Sequence, residues 1–144
     1  MMIRDKKFLM KIELLIEQKI SEEITVVEPE RLGKAARLND ASGRYIEYCK
    51  NSLSQQISFA GLKIVLDTAN GAAYDVAPKV FRELGAEVVA ISNNPNGLNI
   101  NKNCGSTDLN FLKKAVLDSS ADFGIAFDGD GDRLIIVDSD AKAL

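Results

Sequence analysis

The sequence predicts a three-layer α/β/α sandwich around a mixed four-stranded sheet, preceded by a helical segment. Three observations carry that expectation. Leu62-Lys63-Ile64-Val65-Leu66-Asp67 is a short apolar run, followed by a helical pattern, Gly85 and a second run, Glu87-Val88-Val89-Ala90-Ile91. Strand, helix, glycine and strand at that spacing describe a βαβ unit with a right-handed crossover. Further on, Phe123-Gly124-Ile125-Ala126-Phe127 and Leu134-Ile135-Ile136-Val137 flank a connection of only six residues. A connection that short joins antiparallel neighbours, so the sheet is mixed. Finally, apolar residues recur at helical spacing over 6–20 and 109–116, which supplies helices to cover the sheet.

Residues 6–20 form an amphipathic helix with Phe8, Ile12, Leu15, Ile16 and Ile20 on one stripe. That stripe needs a surface to pack on, and self-association is one way to cover it. Ile24-Thr25-Val26-Val27 suggests a short strand ended by Pro29. Asn39 or Asp40 caps a helix that carries Ile46, Cys49 and Leu53 on one face. Tyr45 and Tyr48 are packing residues. The Ser- and Gln-rich residues 51–60 form a linker to the strand over 62–67. Thr68-Ala69-Asn70-Gly71 turns into a helix over roughly 72–84, where Pro78 either kinks it or marks a late start. Gly85 ends the helix. Residues 92–106 are a long loop with six asparagines, a composition that favours ordered turns. Ser106 or Thr107 caps the next helix and Asp108 suits its positive end. Leu109, Leu112, Ala115 and Val116 form its buried stripe, and Lys113 and Lys114 face water.

Composition removes several classes of function. A net charge of -3 and a pI near 5.0 argue against nucleic acid as a partner. No apolar run approaches the ~18 residues a membrane helix needs. Two cysteines, Cys49 and Cys104, are too few for a disulfide framework and point to free thiols in the cytoplasm. The absence of histidine excludes Ser-His-Asp and Cys-His catalysis and the usual zinc sites. The turn after the first strand has Gly71 alone, which is no dinucleotide-binding fingerprint.

The chemistry concentrates in Asp128-Gly129-Asp130-Gly131-Asp132-Arg133. Alternate residues of an extended segment share a side, so the three carboxylates converge and repel unless a cation or protons neutralise them. The intervening glycines let the backbone curl until the three oxygens reach one point. Mg²⁺, which takes oxygen ligands at about 2.1 Å and keeps open positions for phosphate, suits such a loop. Arg133 adds a positive fork of the kind that grips phosphate. An EF-hand is excluded, because its sixth and twelfth positions would be Arg133 and Ser139 instead of Gly and Glu. The aspartyl-nucleophile phosphatase motif fits until Asp132 replaces its threonine, which leaves a phosphatase using Asp128 as the alternative enzyme. A non-catalytic metal-binding piece is the third reading.

Gly124-Ile125-Ala126-Phe127 with the acidic hexad resembles the metal-binding loop of the α-D-phosphohexomutase superfamily, and its glucosamine-phosphate branch in particular. Asp67-Thr68-Ala69-Asn70-Gly71-Ala72-Ala73, the run from Val80 to Val88, Pro95-Asn96-Gly97-Leu98-Asn99-Ile100-Asn101 and Cys104-Gly105-Ser106-Thr107-Asp108 resemble it in the same order. So do Leu32 to Arg37 and Gly43 to Lys50; the likeness spans about Ile20 to Asp138. It implies a Mg²⁺ ion on Asp128, Asp130 and Asp132, and Arg133 as the group touching the transferred phosphate. The implied reaction is interconversion of glucosamine 6-phosphate and glucosamine 1-phosphate through a phosphoserine and a bisphosphate, toward bacterial cell-wall precursors. The family's serine loop, sugar-recognition domain and terminal phosphate-binding domain have no counterpart here. The resemblance therefore implies residues 1–38 as the remnant of a first domain, residues 39–144 as the metal-binding second domain, and a chain inactive alone. It also implies a phosphosugar as substrate and the missing domains as partner.

Overall fold

The structure is a computed structural model that describes residues 10–23, 26–53 and 57–144. The chain divides into two compact units, Met1–Arg37 and Leu38–Leu144. In the first, α1 (Met10–Ser21) buries no residue, and Ile12, Leu15, Ile16 and Ile20 all remain exposed. Phe8 lies outside the described residues, as do Ile24 and Thr25 of the expected strand. Val26 and Val27, the described part of it, are irregular and exposed. Pro29 instead opens a 3₁₀ turn, Pro29–Arg31, at a first position where its missing N–H costs nothing.

In the second unit, α2 (Ala41–Asn51) is followed by β1 (Lys63–Asp67), α3 (Val76–Glu83), β2 (Glu87–Ile91), α4 (Asn110–Ser119), β3 (Phe123–Phe127) and β4 (Leu134–Asp138). The sheet order is β2-β1-β3-β4. β1 pairs parallel with both β2 and β3, and β3 pairs antiparallel with β4. The expected mixed α/β/α sandwich is the observed fold.

Side-chain alternation along β1 builds both cores. Val65 turns to one face, where it meets Leu112 and Val116 of α4 with Ala126 and Val137. Ile64 and Leu66 turn to the other, with Ala77 of α3, Ala86 and Ile125. Phe59, Phe81, Phe123 and Phe127 fill in around them. Gly124 is where α4 presses closest: an added Cβ would lie 2.7 Å from both Leu112 Cδ1 and Val116 Cγ2. α2 lies outside α3, joined by Ser42 to Asp75 (2.9 Å) and Lys50 to Glu83 (2.7 Å).

Several local expectations need correction. The helix after β1 starts at Val76, later than residue 72, so Pro78 falls in the first turn and breaks no helical bond. It ends in a Schellman motif: Ala86 N–H reaches Phe81 O and Gly85 N–H reaches Arg82 O, with Gly85 at φ +100°. Asp40 occupies the N-cap of α2 but makes no cap bond; its carboxylate takes Arg44 Nε at 2.8 Å instead. Neither Ser106 nor Thr107 caps α4, because both belong to a 3₁₀ turn, Gly105–Thr107. Leu109 occupies the N-cap of α4 and offers no side-chain bond; Asp108, one residue earlier, accepts the N–H of the first helical residue, Asn110, at 3.1 Å. Tyr45 and Tyr48 are exposed and stack on each other, with centroids 6.2 Å apart. Part of the expected linker, 54–56, lies outside the described residues, and α2 continues through Asn51.

Candidate metal centre

Strand order decides where the acidic loop lies. The chain leaves β1 for β2 on one side, through α3, and returns past β1 to β3 on the other, through α4. The carboxyl ends of β1 and β3 are therefore neighbours at a topological switch point, the usual ligand crevice of an open α/β sheet. The turn from Thr68 to Gly71 leaves one strand there, and the hexad from Asp128 leaves the other.

The hexad is a tight turn closed on itself. Asp128 and Arg133 are joined by Asp128 N–H to Arg133 O at 3.2 Å, and Gly131 N–H reaches Asp128 O at 3.2 Å. Gly131 takes φ +76°, a conformation that favours glycine. Asp128 is 2% exposed; its Oδ1 accepts Gly131 N–H at 3.0 Å and Arg133 N–H at 3.2 Å, and its Oδ2 accepts Arg133 Nε–H at 2.9 Å. Arg133 Nε also lies 3.3 Å from Asp132 Oδ1. Asp130 and Asp132 are exposed, and one oxygen from each of Asp128, Asp130 and Asp132 falls within 4.8 Å of the others.

These contacts set the charge state of the loop. Burial works to raise the Asp128 carboxyl, but the N–H donors of Arg133 and the contact with Asp132 outweigh it and hold it at about 2. Asp132 is pushed up, first by sharing a hydrogen bond with Asp128 and then by the charge of Asp130. Three carboxylates in this space thus bear mutual repulsion that Arg133 relieves only in part. Oxygens around Mg²⁺ lie about 3.0 Å apart when adjacent and about 4.2 Å when opposite. Three oxygens within 4.8 Å of one another are close enough to be gathered around one such ion, and Asp128 Oδ2, which accepts a single N–H, keeps a lone pair for it. The donor set is all oxygen, which suits a hard cation. The same bonds weaken Asp128 as an attacking nucleophile, since its oxygens already accept three N–H groups.

Asp67 and Asn70, the residues at the end of the neighbouring strand, do not reach the triad. Asp67 is fully buried and accepts Ala69 N–H and Gly105 N–H, both at 2.9 Å. Asn70 binds the asparagine loop, which is ordered. Cys104 is a buried thiol raised by that burial, with Asn70 Nδ2 3.8 Å from its sulfur. Sequence reasoning missed Gly71, Ile100 and Asn101, which pack around Gly129. Only the adjacency of β1 and β3 reveals them. Beside Asp130 and Gly131, a cavity of about 410 Å³ opens between Tyr45, Val76, Val80 and Phe127. No helix among the described residues is long and apolar enough to cross a membrane.

Fold and site together define a doubly wound α/β/α domain with an acidic triad at its switch point. The family model for phosphoglucomutase/phosphomannomutase, alpha/beta/alpha domain II, matches residues 43–141, and the chain belongs to that family. Proteins named phosphoglucosamine mutase from Pseudomonas fluorescens and Pseudomonas aeruginosa are 62% and 60% identical to it over 127 residues. The match covers 88% of this chain and 28% of each relative's length. A solved structure of a phosphoglucomutase/phosphomannomutase family protein from Burkholderia thailandensis is 30% identical with a TM-score of 0.60, over 71% of this chain and 22% of that one.

Proposed function

We propose that this chain is the metal-binding second domain of a phosphohexomutase acting between glucosamine 6-phosphate and glucosamine 1-phosphate. The observation that carries the reading is the convergence of Asp128, Asp130 and Asp132 within 4.8 Å at the switch point, in a chain about 60% identical to proteins named phosphoglucosamine mutase. The three aspartates hold Mg²⁺, which when bound neutralises charge on the phosphate in transit. Arg133 leaves its internal carboxylates to meet that phosphate as a second positive group. Residues 39–144 form this domain, and residues 1–38 are the end of the one before it. The chain spans 28% of these relatives' length, and in this reading turnover also uses the phosphoserine and sugar-binding parts that the family resemblance implies.

Phosphorus NMR of the purified chain with glucosamine 6-phosphate, Mg²⁺ and a trace of the bisphosphate tests this reading. No turnover by the chain alone, and a 1-phosphate signal once it replaces the matching segment of a full-length relative, are expected. Release of inorganic phosphate by the chain alone would establish the phosphatase alternative instead. The exposed stripe of α1 is a surface for self-association, which light scattering checks: a concentration-independent monomer would overturn it.

A further inference from the structure

Gly129 lies between two of the three aspartates and is held from both sides. On one side, Ala72 N–H donates to Gly129 O at 2.8 Å. Gly71 lies against the same carbonyl so closely that a Cβ there would stand 2.2 Å from it. On the other side, Ile100 and Asn101 cover the Gly129 α-carbon; a Cβ on Gly129 would meet Asn101 Nδ2 at 2.7 Å and Ile100 Cδ1 at 2.8 Å. The two sides are tied to each other. Asn101 N–H donates to Ala69 O at 2.9 Å, and Asn70 N–H donates to Ser92 O at 2.6 Å. Asn70 then closes the loop with its side chain, accepting Asn94 N–H on Oδ1 at 3.1 Å and donating from Nδ2 to Asn99 O at 3.4 Å.

Ala69 and Asn70 hold this arrangement in left-handed backbone, at φ +54° and +49°. For alanine that conformation is costly and persists only where surroundings impose it. Asn70 is suited to it, and its amide satisfies three segments of the loop at once. A shift of the Gly129 peptide would carry Asp128 and Asp130 with it, since both are bonded neighbours.

We infer that Asn70, through the 93–101 loop, and Gly71, through direct contact, are positioning residues that clamp the Gly129 peptide and thereby set the spacing of the aspartate triad. This inference rests on the metal reading given under Proposed function. The clamp touches no ligand oxygen; its effect is on how little the triad must rearrange to accept the ion.

The test measures Mn²⁺ binding to the whole chain by electron paramagnetic resonance, beside the urea midpoint of each variant. Asn70→Gly keeps the left-handed backbone and removes the latch; Gly71→Ala pushes on Gly129 directly. Each is expected to weaken Mn²⁺ by roughly tenfold and to broaden the signal of the bound ion, with Asn70→Gly keeping a near-parental urea midpoint. Folded Asn70→Gly that binds Mn²⁺ as the parent does, whether or not its midpoint falls, would overturn the clamp while leaving the metal centre intact. A parent chain that binds no Mn²⁺ would overturn the metal centre and the clamp with it. Should Gly71→Ala fail to fold, Asn70→Gly decides the matter alone.

Discussion

Asp67 and Asp128 stand at the carboxyl ends of adjacent parallel strands, and both are buried. Their fates differ. Asp67 gives both oxygens to backbone N–H groups of Ala69 and Gly105 and is sealed in the core. Asp128 also accepts backbone N–H groups, but it opens through Arg133, Asp130 and Asp132 onto the surface. The same side chain at neighbouring places in the topology is structural in one loop and, in the function proposed above, a metal ligand in the other. The residues just after each aspartate make the difference. Thr68-Ala69-Asn70-Gly71 folds back over Asp67, whereas alternating Gly and Asp bring more carboxylates to Asp128.

The comparison breaks most visibly at Asp67. Asp67→Ala strands two buried N–H donors and should cost about 3 kcal/mol or more of stability, read as a lower urea midpoint with the slope unchanged. A midpoint equal to the parent's would mean that Asp67 is not the structural member of the pair.

Asp130→Asn is the counterpart on the chemical side. It should weaken Mg²⁺ or Mn²⁺ by roughly tenfold or more, because one charged ligand is lost. In metal-free buffer its urea midpoint should hold or rise slightly, since Asp130 repels Asp132. A large loss of stability would show that the two loops do not divide the work as proposed.

Arg133→Ala sharpens the picture further. The guanidinium is the internal cation of the turn, bound to both Asp128 and Asp132. Removing it leaves more uncompensated negative charge, so divalent metal should bind about two- to fivefold more tightly while inorganic phosphate binds more weakly to the loaded site. Calorimetry with each ligand reads both directions, and weaker metal binding would assign Arg133 to holding the loop's shape.

The smallest effect lies away from the site. Lys79, then Ser42, hold the Asp75 carboxyl below its usual range. A depressed folded value means stability fully present above the unfolded value, about pH 4, and lost as pH falls through the folded one. Asp75→Asn should therefore destabilise at pH 6 by at most a few tenths of a kcal/mol, with the difference fading below pH 4 and in high salt, because the pair is more than one-third exposed. Urea melts at pH 6 and pH 3 check the sign; a difference that grows in acid would contradict it.

Much of this protein is legible in its sequence. β2 spans Glu87–Ile91 and β4 Leu134–Asp138 as the apolar runs and their bounding turns indicate. The antiparallel partnership of β3 and β4 follows from the six residues between them. The convergence of the acidic loop is legible because its alternating aspartates and glycines lie within one short stretch. Helix starts are harder to read: Val76, not Ala72, begins α3, and Leu109, not Ser106 or Thr107, stands at the N-cap of α4. Caps depend on which of several polar neighbours the backbone presents to the N–H groups, which local composition leaves open.

Sequence by itself determined the elements, the two apolar faces of β1 and the identity of the acidic triad, because periodicity and turn chemistry act over a few residues. Tertiary structure alone decided that β1 lies beside β3. That order sets the 68–71 turn and the asparagine loop against Gly129 and makes Asp67 a core residue. Strand order is a contact between segments about sixty residues apart, and no local pattern encodes it.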